Sequence, residues 1–163
     1  MQKIHFISTG GTFNKYYEPN TGSIAIDTHA STLEEIAQKW RCRFEISNII
    51  GKDSLDMNDE DRSLLLETIV SCEQKRIVII HGTDTMDLSA KVIADANLDK
   101  QIILVGAMTP YRVDKVEATA NLAMAIGYLN SKILNGVYIS MNGIIGNYDK
   151  VIKNRKKGKF EWK

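Results

Sequence analysis

A chain of 163 residues fits one domain around one hydrophobic core. Its 44% hydrophobic and 25% charged residues are an ordinary globular mix, and 21 basic against 20 acidic residues leave a net charge of +1. That balance argues against nucleic acid or a membrane surface as the main partner. Cys42 and Cys72 lack the paired spacing of a structural zinc site.

The first residues are apolar over too short a stretch for a signal-peptide core, and no segment reaches bilayer-spanning length. A cytoplasmic protein with reduced thiols is therefore expected. Residues 4–8 read as a buried strand running into Thr9-Gly10-Gly11-Thr12. A polar loop with Tyr16, Tyr17, Pro19 and Gly22 follows over residues 14–22. Ser31-Thr-Leu-Glu34 has capping-box spacing and predicts a helix to about residue 40. Residues 43–50 read as a strand. Asn58 is the expected N-cap of a helix carrying Leu64, Leu65, Ile69 and Val70.

Residues 76–81 and 101–106 are unbroken apolar runs, as in strands buried on both faces of a parallel sheet. Between them lies Gly82-Thr83-Asp84-Thr85, then a helix to about residue 97. Residues 114–130 form an Ala-rich helix whose stripe of Val116, Ala120, Ala123 and Gly127 suggests close packing. Residues 136–142 are the last clear strand. Strands alternating with helices through short loops predict an α/β fold. The sheet is doubly wound and mostly parallel, with helices on both faces. In such sheets ligands bind at the carboxyl ends of the strands, which selects the loops after Ser8, Ile50, His81, Gly106 and Asn142.

Each of those loops has an ordinary reading. Thr9-Gly-Gly-Thr12 is a tight turn, and neither the P-loop nor the dinucleotide fingerprint is present. His81-Gly-Thr-Asp-Thr85 supplies helix-cap residues. Its chemical reading adds free N–H groups at a helix start and a hydroxyl beside a carboxylate. The combination is more specific than its parts. Two loops after parallel strands each carry a threonine, a third carries Ser54 and carboxylates, and Gly106-Ala107-Met108 closes a fourth.

Thr9-Gly-Gly-Thr12, Ser54-x-Asp-Met-Asn-Asp59, His81-Gly-Thr-Asp-Thr-Met86 and Val105-Gly-Ala-Met108 stand in order. Together they resemble the signature blocks of the bacterial-type L-asparaginase family. The resemblance runs from Ile4 to about Lys153. It implies a flavodoxin- or Rossmann-like asparaginase N-terminal domain over residues 1–153, followed by a basic tail over 154–163. Family members are commonly about twice as long, so the chain resembles a short form holding only the catalytic domain.

The resemblance implies roles residue by residue. Thr12 matches the nucleophile, a hydroxyl that needs a base and fixed geometry. Tyr17, or its neighbour Tyr16, matches the assisting loop tyrosine. Thr83 and Asp84 match the second threonine and its aspartate, joined in a proton relay with a lysine. Register places that lysine at Lys153, with Lys150 three residues earlier as the alternative. Asp84 also holds the substrate ammonium and Ser54 its carboxylate, with Gly11 and Ala107 as further substrate-binding residues. Backbone N–H groups near Thr12 and Thr83 are candidate oxyanion donors. His5, His29 and His81 have no part in the scheme.

The implied reaction is amide hydrolysis of L-asparagine to L-aspartate and ammonia through a threonine acyl-enzyme, with no cofactor and no metal. The substrate partner is a small amino acid, L-asparagine or L-glutamine. A homo-oligomer of at least two copies is expected, with an open site that binds asparagine weakly. Three other readings compete: a glutaminase or partner-dependent amidotransferase subunit, an amino-acid-binding module without turnover, and nucleic-acid binding through the basic tail.

Overall fold

The apolar runs become five parallel strands in a computed structural model that describes residues 3–163. They are β1 (Ile4–Gly10), β4 (Glu45–Lys52), β5 (Arg76–Ile80), β6 (Gln101–Val105) and β7 (Gly136–Met141). With β8 (Ile144–Asn147) they form a six-stranded sheet in the order β4-β1-β5-β6-β7-β8. Only the last pair of that sheet is antiparallel. Two further hairpins stand outside it: β2 (Lys15–Glu18) with β3 (Ser23–Ile26), and β9 (Val151–Asn154) with β10 (Lys159–Trp162).

Side-chain alternation along each strand feeds two separate cores. Phe6, Val78, Ile80, Ile103, Val105 and Tyr138 face α1 (Ser31–Lys39) and α4 (Lys115–Leu129). Ile7, Ile77, Ile79, Leu104 and Ile139 face α2 (Asp59–Ser71) and α3 (Met86–Asp95). Helices thus cover both faces, as doubly wound topology requires. From β1 the chain moves outward to β4, then returns past β1 to β5. The order reverses between β1 and β5, and the loops after these two strands flank that crevice.

Local chemistry explains several boundaries. Asn58 caps α2 with a reciprocal capping box to Asp61, and Leu65 and Ile69 are its buried face. Asp114 caps α4 by accepting from the Val116 N–H. The capping box expected at Ser31 does not form. Asp27 takes that role instead, accepting from both the N–H and the hydroxyl of Ser31.

Three further expectations are corrected. The loop over residues 14–22 is half of a hairpin, because Lys15–Glu18 pairs with Ser23–Ile26 in an antiparallel ribbon. The stripe Val116, Ala120, Ala123 and Gly127 faces away from the core. The buried stripe is Ala118, Leu122, Ala125 and Leu129, where two leucines fill the core and two alanines let the helix lie close to the sheet. Finally, residues 154–163 are not a free basic tail. Lys159–Trp162 pairs with Val151–Asn154, and Phe160 is buried in the α2/α3-side core at 3% exposure. Strand alternation separates that phenylalanine from the charged residues around it. Both cysteines are free thiols. No helix among the described residues is long and apolar enough to cross a membrane.

Candidate active site

The reversal point is built from backbone in contact with backbone. Gly11 ends the turn after β1 with φ 75° and ψ −178°, a conformation that suits glycine and little else. A Cβ there would stand 2.5 Å from both the Cα and the N of Gly82. The loops after β1 and β5 therefore touch one residue before Thr12 and one residue before Thr83. Thr12 opens a short 3-10 turn with Phe13 and Asn14 buried beneath it. The Asn14 amide donates to Ser8 Oγ and to the Gly10 carbonyl, which braces the turn.

Ser54 ties in the third loop. Its buried hydroxyl accepts from the Asp84 N–H at 3.1 Å and the Thr85 N–H at 3.4 Å. Thr85 does not cap α3 with its side chain, since its hydroxyl donates to the Ser54 carbonyl at 2.7 Å. The cap reading of that loop gives way to a cross-link between loops. Arg62 of α2 donates to Thr85 Oγ1 and to the Met57 carbonyl, which holds the crossing in place. Lys15 reaches Asp53 at 2.6 Å, joining the tyrosine hairpin to the Ser54 turn.

Lys153 enters from β9. Its ammonium donates to Thr83 Oγ1 at 2.8 Å and to Asp84 Oδ1 at 2.9 Å, and its side chain is only 13% exposed. The Lys153 hydrogen bond holds the Asp84 carboxyl below the usual carboxylate range, against the opposing effect of burial, with Arg155 adding to the shift. Lys150 is elsewhere: it pairs with Asp149 at the surface. Ala107 is buried just after β6. The preceding Gly106 lies against this loop, because a Cβ there would sit 2.5 Å from the His81 carbonyl and 3.2 Å from the Thr83 methyl.

Thr83, Asp84, Ser54 and Lys153 are thus joined by hydrogen bonds, with Thr12 and Gly11 held beside them through the glycine contact. Tyr17 is not in this group. It is 61% exposed, and its hydroxyl lies 3.9 Å from the position of a Gly22 Cβ, inside its own hairpin. Tyr16 is half-buried, and both tyrosines line a surface cavity of about 480 Å³ with Asn14, Asp27 and Arg112. His81 is fully buried between the Gly82 carbonyl and Ser89 Oγ, each 2.7 Å away. Burial pushes its pKa down to about 4, so it stays neutral. Among the described residues no His, Cys, Asp and Glu group has the geometry to hold a metal ion.

Sequence reasoning missed one side chain here. Arg155 also binds Asp84, through Nη1 to Oδ1 and through Nη2 to the Asp84 carbonyl at 2.8 Å. Its spacing from Lys153 carried no signal, because β9 ends at Asn154 and Arg155 lies in the turn that follows. Arg155 lay hidden in a basic run read as solvated tail.

Fold and site together define a doubly wound α/β protein with hydroxyl, carboxylate and ammonium groups converging at its reversal point. The model of the family described as "Asparaginase, N-terminal" matches residues 3–159, and the chain belongs to that family. Among curated relatives, a glutamyl-tRNA(Gln) amidotransferase subunit of Methanococcus maripaludis is 30% identical over 155 residues, covering 90% of this chain and 36% of that protein. A probable periplasmic L-asparaginase of Haemophilus influenzae is 30% identical, covering 87% and 43%. Among solved structures, a probable cytoplasmic L-asparaginase of Campylobacter jejuni matches with TM-score 0.78 and 27% identity, covering 95% of this chain and 50% of that one. The thermostable L-asparaginase of Thermococcus kodakarensis shares the fold with TM-score 0.86 at 24% identity, covering 99% and 51%. The chain spans about half the length of these structures, and less of the curated relatives.

Proposed function

We propose that this site is that of an L-asparaginase, converting L-asparagine to L-aspartate and ammonia through an acyl-enzyme on Thr12. The observation that carries the reading is the Lys153 ammonium bridging Thr83 Oγ1 and Asp84 Oδ1, in a loop locked against the one that bears Thr12. Thr12 Oγ adds to the side-chain amide carbon and gives up its proton. The C–N bond then breaks, and the nitrogen takes a proton and leaves as ammonia. Water attacks the resulting ester while the Thr83–Lys153–Asp84 relay carries its proton. Aspartate departs and the Thr12 hydroxyl is restored.

In this reading Ser54 holds the substrate carboxylate and Asp84 its ammonium, with Gly11 and Ala107 offering backbone. Tyr17, or Tyr16, assists Thr12 in this reading once substrate is bound. Pairing of two or more copies and a cytoplasmic setting go with this reading. Light scattering and cell fractionation check them.

Ammonia release from L-asparagine and L-glutamine tests the proposal, with Thr12→Ala and Thr83→Ala alongside. Loss of asparagine turnover by about a hundredfold or more in both variants supports it. An inactive wild-type protein rejects it. A second reading, glutamine hydrolysis for an amidotransferase, draws on the identity to the Methanococcus maripaludis relative. Glutamine turnover exceeding asparagine turnover favours it.

A further inference from the structure

Asp84 faces more positive charge than one relay lysine brings. Its Oδ1 receives both the Lys153 ammonium and the Arg155 guanidinium, and Arg155 clasps the Asp84 carbonyl as well. One carboxylate thus faces two cations. Lys15 is matched by Asp53, and Arg62 donates to Thr85 and pairs with Asp59. Arg155 is held in a defined place although its side chain is 61% exposed. It follows β9, and that strand is fixed to β10 over four residue pairs. Asn154, between the two cations, bonds to Glu161 of β10 and accepts from the Lys157 N–H, which sets the turn that brings Arg155 back over Asp84.

An α-amino acid amide presents an ammonium that needs a carboxylate with charge to spare. Every cation already on Asp84 weakens that attraction and strengthens the pull on the substrate carboxylate. We propose that Arg155 is a specificity-determining residue, one that lowers the site's preference for ω-amides bearing an α-ammonium relative to ω-amides of simple dicarboxylic acids. This rests on the amidohydrolase reading above. The substrate class it adds is the monoamide of a four-carbon dicarboxylic acid, an asparagine without its amino group. Arg155 takes no part in bond making, so its effect falls on binding.

The test compares L-asparagine with succinamic acid, which differs only by the α-ammonium, in wild type, Arg155→Gln and Arg155→Lys. Because Arg155 is exposed, the variants keep the wild-type melting temperature. The expected result is a rise of about fivefold in the kcat/KM ratio of asparagine to succinamate in Arg155→Gln, the size an exposed ion pair commonly carries. The change lies in KM with kcat nearly constant, and Arg155→Lys restores most of the wild-type ratio. Calorimetric binding of L-aspartate against succinate gives the same ratio without turnover. If wild type releases ammonia and both ratios are unmoved by Arg155→Gln, the assignment of Arg155 is overturned and the amidohydrolase reading stands. If wild type releases no ammonia, the amidohydrolase reading and the substrate class fall together.

Discussion

Phe160 stands directly opposite Lys153 in the antiparallel β9–β10 pair. Residues so opposed share a face. Phe160 sinks into the α2/α3-side core beside Val151, while Lys153 extends to Thr83 and Asp84. The Phe160 N–H donates to Asn142 Oδ1, and the Trp162 ring lies on Gly146, whose Cβ would fall 2.4 Å from it. The hairpin is therefore seated by aromatic burial, and the lysine is aimed by that seating. Phe160→Ala is expected to lower stability by about 3–5 kcal/mol and to reduce turnover beyond what the lost stability explains. Urea unfolding and ammonia release at low temperature, where the variant is folded, separate the two effects.

Lys153→Met removes the ammonium that bridges Thr83 and Asp84, whereas Lys150→Met removes a surface pair with Asp149. The first is expected to cut kcat by about a hundredfold to ten-thousandfold, the range of lost proton-transfer help. The second is expected to leave activity within about twofold, as for an exposed ion pair. Steady-state ammonia release on both variants decides the register.

Gly11→Ala adds a methyl 2.5 Å from Gly82 backbone atoms in a conformation reserved for glycine. A loss of at least about 2 kcal/mol is expected from strain and collision together. The collision also pushes Thr12 away from Thr83, so the folded fraction should be nearly inactive. Denaturant melts read the first effect and turnover per folded molecule the second.

The buried His81 gives a pH prediction. Its folded-state pKa of about 4 lies below the ordinary 6.5, so the unfolded chain binds the extra proton between those values. Stability contributed by the neutral ring is full above 6.5 and is lost as pH falls toward 4. By pH 5 the loss from this residue is about 2 kcal/mol. His5 is shifted the same way by burial and adds to the slope. Unfolding free energies at pH 7 and 5 should show a smaller difference in His81→Gln than in wild type.

The parallel sheet was legible because residues 76–81 and 101–106 are apolar without alternation, a pattern that belongs to strands covered on both faces. The loops bearing Thr12, Ser54 and Thr83 followed from the strand ends. The two hairpins did not announce themselves. Lys15–Glu18 is a half-buried strand with no apolar alternation, and in residues 153–159 charge masks the period-two pattern that makes Phe160 an inward residue. Arg155 was lost with it, since its role depends on a turn fixed by Asn154 and Glu161. The helix 115–129 had the right extent but the wrong face, because small residues fit an exposed stripe as well as a tight interface.

The β9–β10 ribbon lies outside the six-stranded sheet, yet it delivers the lysine that bridges Thr83 and Asp84. A two-stranded ribbon has little stability of its own, so this one is held by the burial of Phe160, and opening it costs less than melting the sheet. Loss of chemistry and loss of fold are then separate events. Under rising temperature or denaturant, exchange of the amide hydrogens of 151–162 should precede that of β5 and β6, and activity should follow the ribbon rather than the sheet.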